Sequence, residues 1–174
     1  MNLKITRALT LLIAVMLVGH SAPAQSPENK ATKSETKAPL LEKKVLSLEA
    51  ARKMAAAAIN EAEKNHWSGV VAIVDDGGWL ILLERMDHAA MTASVELAAG
   101  KARSAALFKK PSQDLEESIN HGRYAAITAR GFVEMQGGLP VMLDGEVIGA
   151  ISASFATPEM DIKVAQAALA ALTQ

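Results

Sequence analysis

The chain has 174 residues, no cysteine and a formal charge of −1; hydrophobic residues make up 50% of it and charged residues 21%. This length fits about one compact domain, and the composition is too apolar for a disordered chain and lacks the basic blocks of a nucleic-acid binder. The absence of cysteine excludes disulfide frameworks, thiolate metal sites and cysteine nucleophiles.

The first 24 residues have the features of a secretory signal peptide. Lys4 and Arg7 precede an apolar run over 8–18, and Ala22–Ala24 supplies small residues at the spacing of a cleavage site. The apolar run is shorter than the ~20 residues that a membrane helix needs, so we expect the leader to be cleaved. We therefore predict a periplasmic or secreted protein that has no membrane segment after cleavage.

Residues 25–44 are predicted to form a flexible linker. They contain five Lys, three Glu and two Pro, and they have almost no apolar side chain before Leu40, so burial cannot repay the entropy of ordering them. The linker carries +2, whereas residues 45–174 have eleven Lys and Arg against sixteen Asp and Glu and therefore carry −5. An acidic domain disfavours contact with a phosphate backbone, so we expect no nucleic-acid partner.

The domain that starts at residue 45 begins with a predicted helix and a predicted hairpin. Alanines return at helical spacing over 51–62 after a capping residue at Ser47, which indicates an amphipathic helix. The β-branched run 70–74 and the apolar run 79–83 are separated by Asp and Gly residues. This pattern is typical of a β-hairpin.

The middle of the domain is predicted to be helical, and a second hairpin follows it. A stripe of small residues indicates a helix over 92–107, and Pro111 interrupts it before a further short helix. The segments 139–143 and 146–154 flank an Asp-Gly turn and predict the second hairpin. We also predict a strand over 132–135 beside this hairpin.

The last predicted element is a helix, and its local signals agree with each other. Thr157 is a capping residue, and Pro158 occupies the first helical position. Because the strands come in hairpins without long crossovers, we expect an antiparallel sheet that carries helices, in the α+β class. Six aromatic residues and alanine-rich helices bury little area. We therefore predict that the domain gains stability as a homo-oligomer.

No short motif assigns a reaction. The chain has no G-x-S-x-G elbow, no G-x-G-x-x-G and no P-loop, and the glycine pairs at 77–78 and 137–138 indicate turns. The three histidines that follow the leader do not have the i, i+4 spacing of a helical metal pair.

Longer stretches of the chain resemble one known family. These stretches are VAIVDDGGWLILLERMDHA at 71–89, ELAAGKARSAALFKKPS at 96–112, GGLPVMLDGEVIGAISAS at 137–154 and ATPEMDIKVA at 156–165. In this order and spacing they resemble the GlcG/HbpS family of haem-binding proteins over residues 45–174. The resemblance implies a profilin-like fold, with a central antiparallel sheet of about five strands flanked by helices. It also implies haem or a related tetrapyrrole as ligand.

The chain departs from the family pattern at two places. His88 stands where Gly or another small residue is common, and ISASFA at 151–156 replaces the common GVSGA. Phe155 narrows the space beside the second of these segments.

The resemblance makes seven residues candidates for haem binding. The candidate axial donors are His121, His88, Tyr124 and Met135, and the candidate partners of the propionates are Arg85, Lys101 and Arg103. His121 is the first candidate for the iron. His121 and Tyr124 are three positions apart in a predicted helix, so they are expected to share one face. The alternatives are an ion pair of Arg85 with Glu84 or Asp87, and solvated charges at Lys101 and Arg103.

Three functions follow from these candidates. The favoured one is an exported haem-binding protein that acts as a carrier, a scavenger or a component of a redox-linked sensor. The second is an enzyme or pathway accessory protein for a small hydroxy or oxo acid, with Arg85, Lys101 or Arg103 on the carboxylate and His121 as the acid or base. The third is an oligomeric module that binds a partner protein.

Overall fold

The computed structural model describes residues 39–172. The predicted signal peptide and residues 25–38 of the predicted linker lie outside the described residues. Residues 39–44 form no helix or strand and are exposed, and the compact unit of the fold begins at Leu41. None of the helices within residues 39–172 combines the length and the hydrophobicity of a membrane-spanning segment.

The described residues contain four α-helices, a short 3-10 helix and four strands. In chain order these are α1 Leu48–Lys64, β1 Val70–Asp75, β2 Leu80–Arg85, α2 Ser94–Phe108, α3 Ser112–Asn120, the 3-10 helix Tyr124–Thr128, β3 Gly138–Leu143, β4 Glu146–Ser154 and α4 Pro158–Ala170. The four predicted α-helices and both predicted hairpins are confirmed, except that α3 ends before Tyr124.

Side-chain caps begin the first and last helices where the sequence predicts them. Ser47 Oγ accepts a hydrogen bond from the Ala50 N–H at 3.1 Å, and Thr157 Oγ1 accepts one from the Met160 N–H at 3.4 Å. Pro158 is at the first turn of α4, where its missing N–H is not needed. Each cap satisfies a backbone donor that the helix itself leaves unpaired.

The four strands form one antiparallel sheet in the order β2-β1-β4-β3. Each hairpin therefore supplies one edge strand and one central strand. The two central strands pair along the whole of β1, from Val70 opposite Ser154 to Asp75 opposite Gly149.

Helices cover both faces of this sheet. α1 and α4 pack on the face to which Val71, Ile73 and Ile151 belong. α2 packs on the other face, where Ala98 contacts Val70. The α+β class, with helices on both sides of a central antiparallel sheet, is confirmed.

The predicted fifth strand at 132–135 is wrong, because this sheet has four strands and that segment is not among them. The segment instead runs beside α2 and α3, and polar side chains bind its backbone. The Val133 N–H donates to Ser104 Oγ at 3.0 Å, and Ser112 Oγ donates to the Met135 carbonyl at 2.7 Å. Since side chains satisfy these backbone groups, the segment needs no neighbouring strand.

Candidate functional site

The chain turns between His121 and Tyr124, so these two residues do not share a helix face. α3 ends at Asn120, and Gly122 has a φ of +100°, a conformation that favours glycine. Tyr124 then begins the 3-10 helix and is 67% exposed. The prediction of one continuous helix through both residues is wrong because the glycine stops α3.

One hydrogen bond fixes the tautomer of the His121 ring. Its Nδ1 lies 2.7 Å from the carbonyl oxygen of Glu117, one turn earlier in α3. A carbonyl oxygen only accepts, so Nδ1 carries the proton and donates it. In the neutral ring Nε2 then keeps its lone pair, which is the form that binds a metal. The residue is exposed.

A groove of about 300 Å³ lies between the end of α2, α3 and the 3-10 helix, and we name it the α3 groove. Its apolar lining comes from Phe108, Leu115, Ala125, Ala126 and Ala129. Its charged residues are the cations Lys110 and Arg123 and the carboxylate Glu134, so the lining carries a net positive charge. His121 lies in the chain between Ser118 and Arg123, both of which line the groove. This combination suits a flat apolar ligand that carries anionic substituents.

Arg103 lies near two aromatic rings and outside the α3 groove. Its Cζ is 5.3 Å from the centre of the Trp79 ring and 5.8 Å from the centre of the Phe132 ring. Its Nη1 also donates to the Gly78 carbonyl at 3.4 Å. These contacts join the β1–β2 turn to α2 through cation–π attraction, so the guanidinium is not a freely solvated charge.

Lys101 is buried, whereas the two predictions for it are a contact with a haem propionate and a solvated charge. Only 1% of the residue is exposed, and its Nζ lies 2.7 Å from Asp161 Oδ2 on α4. Burial lowers the pKa of the Lys101 amine and raises the pKa of the Asp161 carboxyl, in both cases against the effect of the partner's charge. This position does not offer Lys101 to a haem propionate.

The glycine pair at 137–138 makes room for this lysine and is more than a turn. A Cβ on Gly137 would lie 2.8 Å from Lys101 Nζ, and Gly137 has a φ of +120°. A Cβ on Gly138, the first residue of β3, would lie 2.3 Å from the Lys101 carbonyl oxygen. A side chain at Gly138 would therefore push α2 away from the edge of the sheet, and one at Gly137 would crowd the Lys101 amine and Asp161.

A small cavity of about 90 Å³ borders the buried ion pair, and we name it the Lys101 cavity. Its polar lining includes Lys101, Asp161 and Glu116, and its apolar lining includes Met135 and Phe155. The structure thus brings two of the predicted residues, Lys101 and Met135, to one place. The cavity has the volume of roughly three water molecules, which is far too small for a tetrapyrrole.

The remaining two candidates lie at and after the end of β2. Arg85 lines a cavity of about 420 Å³ together with Glu63, Glu84 and Asp87, and carboxylates outnumber the cation there. Within residues 39–172, no salt bridge joins Arg85 to Glu84 or Asp87. His88 is exposed and has a φ of +60°, which explains why a small residue suits this position.

Comparison with known proteins identifies the family. A family model described as haem degrading protein HbpS-like matches residues 46–170. The chain belongs to the HbpS-like family. Protein GlcG of Escherichia coli (strain K12) is 43% identical over 112 residues, which are 64% of this chain and 83% of that protein.

Two solved structures extend this similarity to the fold. The crystal structure of HbpS is similar with a TM-score of 0.72 and 31% identity, over 76% of this chain and 94% of that chain. The crystal structure of a PduOC:heme complex is similar with a TM-score of 0.68 and 30% identity, over 74% of this chain and 95% of that chain. The resemblance found in the sequence is confirmed.

Proposed function

We propose that this protein binds haem, or a closely related tetrapyrrole, in the α3 groove, with His121 as the ligand of the iron. The observation that carries the proposal is a partly apolar groove with two cations in its lining, close in the chain to His121, an exposed imidazole whose Nδ1 is already bonded. The family's description as haem degrading and the likeness to a protein solved with haem support the same ligand.

The α3 groove fits part of a tetrapyrrole. Its volume lies at the lower end of the range for ligand pockets, so one edge of the macrocycle would remain in solvent. The small alanines of the 3-10 helix leave a flat wall, and Phe108 and Leu115 supply larger apolar surfaces. Haem iron, when bound, supplies electron-transfer and oxygen chemistry that depends on its axial ligand and on the polarity around it.

Four polar residues at or near the groove have separate tasks in this proposal. Arg123 and Lys110 bind the propionates, and the planar guanidinium of Arg123 can hold a carboxylate through two hydrogen bonds. The Glu117 carbonyl orients the His121 ring, so Glu117 is a positioning residue. Tyr124, exposed at the start of the 3-10 helix, is a second axial donor.

We further propose that the protein is exported and works as a homo-oligomer, as a haem carrier, a scavenger or a component of a redox-linked sensor. Apolar side chains on both edge strands support assembly, because Leu80 on β2 is 53% exposed and Met142 on β3 is 52% exposed. Mass spectrometry of the exported protein is expected to give a first residue of Gln25, and light scattering of residues 45–174 is expected to give more than one subunit. Recovery of the full-length chain in membranes only would contradict export with cleavage. A monomeric domain would contradict the homo-oligomer.

Titration of the protein with haemin, followed by absorption, tests the ligand. We expect saturable binding with a Soret band, and we expect His121→Ala to shift the band and to weaken binding. Arg123→Ala should weaken binding roughly 10- to 100-fold with little change in the spectrum, because it removes a charge-assisted contact and leaves the iron ligand in place.

Matched variants locate the site. His66→Ala should change neither the affinity for haemin nor the spectrum. His88→Ala removes the competing candidate for the axial ligand. Arg85→Ala tests the separate cavity at the end of β2. If Arg85→Ala weakens haemin binding and Arg123→Ala does not, the haem does not bind in the α3 groove. Absence of saturable haemin binding by the wild-type protein overturns the proposed function.

A further inference from the structure

The haem proposal leaves the Lys101 cavity without a role. An amine that is 1% exposed borders this cavity, and its carboxylate partner on a different helix borders it as well. Desolvation activates a lysine amine as a nucleophile, and an adjacent carboxylate can accept the proton that the amine must lose.

The charge and the size of the cavity define the ligand it admits. Lys101 contributes one positive charge to the lining, whereas Asp161 and Glu116 contribute two negative charges, so the surroundings repel a carboxylate. The volume of about 90 Å³ corresponds to roughly three water molecules, which matches an organic molecule of about two to four carbons. Apolar side chains such as Leu97 and Phe155 favour a ligand without charge.

We propose that Lys101 forms an imine, reversibly, with a small neutral aldehyde or ketone that enters this cavity, and that Asp161 moves the protons. The site is separate from the α3 groove. The proposal does not depend on haem binding.

The positions of the two groups suit this step. Asp161 Oδ1 accepts a hydrogen bond from the Phe155 N–H, which leaves Oδ2 directed at the Lys101 amine, 2.7 Å away. A Cβ at Gly137 would lie 2.8 Å from Lys101 Nζ, so the glycine leaves the space in which the amine sits. Burial also lowers the pKa of Lys101, so more of the amine is neutral than in an exposed lysine.

The step balances within the pair and its ligand. Asp161 takes a proton from the ammonium, the neutral nitrogen attacks the carbonyl carbon, and Asp161 returns that proton to the carbonyl oxygen. Asp161 then takes a second proton from nitrogen and gives it to the hydroxyl, which leaves as water while the C=N bond forms. An ammonium with three hydrogens and a carbonyl compound thus become a protonated imine with one hydrogen and one water, and Asp161 is again a carboxylate.

Reductive trapping of the folded, haem-free protein tests this inference. We treat it with limiting glycolaldehyde and cyanoborohydride and measure the modification of each lysine by peptide mass spectrometry. Lys101 should be modified at least tenfold faster than the exposed lysines Lys53 and Lys109. A rate at Lys101 equal to or below theirs overturns the proposal.

Variants and competitors assign the roles. Asp161→Asn should slow modification of Lys101 at least tenfold and leave the rate at Lys53 unchanged, and an unchanged rate at Lys101 removes Asp161 from the step. Excess acetone should protect Lys101 in the wild-type protein, a result that does not depend on a variant's folding. Glyoxylate should react more slowly than glycolaldehyde at Lys101, and a faster reaction overturns the selection for a neutral ligand.

Discussion

The two faces of the sheet are filled in different ways. Against α1 and α4 the sheet presents large side chains such as Ile73 and Ile151. Against α2 the contacts are made by small residues, among them Ala102, which packs with Val74 and Ala150. One layer is thus a conventional apolar core, and the other is a close approach of helix and strand backbones.

Hydrogen bonds accompany the close approach on the α2 side. Ser152 Oγ donates to the Ala98 carbonyl, and Ser154 Oγ donates to Ser94 Oγ at 3.1 Å. The contacts of small residues and these hydrogen bonds together set the distance and the orientation of α2 relative to the sheet. The helix that supplies Lys101 and Arg103 is positioned by contact distance and polar pairing rather than by side-chain volume.

Removing volume from the α1/α4 face should have the largest effect on stability. Ile151→Ala deletes a fully buried side chain from the larger cluster, so we expect a loss of about 2–5 kcal/mol in the free energy of unfolding. Urea unfolding followed by circular dichroism measures it. The control is Ile127→Ala, since Ile127 is 66% exposed and its loss should cost about 0.5 kcal/mol or less. Equal costs for the two variants contradict the distinction.

Adding volume to the α2 face should have a smaller but clear effect. Ala102→Leu inserts a large side chain where α2 lies close to the sheet, so we expect a loss of about 1–3 kcal/mol. Ala56→Leu, on the exposed side of α1, is the matched control and should leave stability nearly unchanged. If Ala102→Leu is tolerated as well as Ala56→Leu, α2 is free to move away from the strands.

Removing one hydrogen bond from the α2 face should have the smallest effect. Ser152→Ala deletes the donor to the Ala98 carbonyl, which is a helix carbonyl and has its bond within α2 as well. We expect a loss of about 0.5–1.5 kcal/mol in the same unfolding experiment. A loss of stability larger than that of Ile151→Ala would contradict the prediction that the α1/α4 face contributes more to stability than this hydrogen bond.

Local patterns predict the helices and hairpins because their causes are local. The Asp-Gly turn between β3 and β4 and the cap at Thr157 are readable within a few residues. The strand predicted at 132–135 fails because its β-type composition says nothing about partners. Ser104 and Ser112 supply the hydrogen bonds that a neighbouring strand would have supplied.

The burial of Lys101 has a sequence signal, but its partner does not. Ala98, Lys101 and Ala105 are spaced at three and four residues, which places the lysine in the small-residue stripe of α2 that packs on the sheet. The pairing with Asp161 crosses sixty positions of the chain and depends on the tertiary fold. Charge alone therefore suggests a solvated lysine.

The cations of the α3 groove are also invisible in local patterns. Arg123 lies between the end of α3 and the 3-10 helix, and it reaches the groove because the chain turns at Gly122. The glycine itself was the available signal for that turn. His121 is identified as an axial candidate from residue type and family resemblance, and the carbonyl that sets its tautomer requires the structure.

The strand order also has a consequence for the rate at which the chain folds. Each hairpin joins strands that follow each other directly, and such pairs form within microseconds in isolation. The central pairing of β1 with β4 joins a strand that ends at Asp75 to one that begins at Glu146, with α2 and α3 between them. Closing so long a loop is the slow step expected of non-local contacts. We therefore expect the two hairpins to form first and the β1–β4 register to be set last.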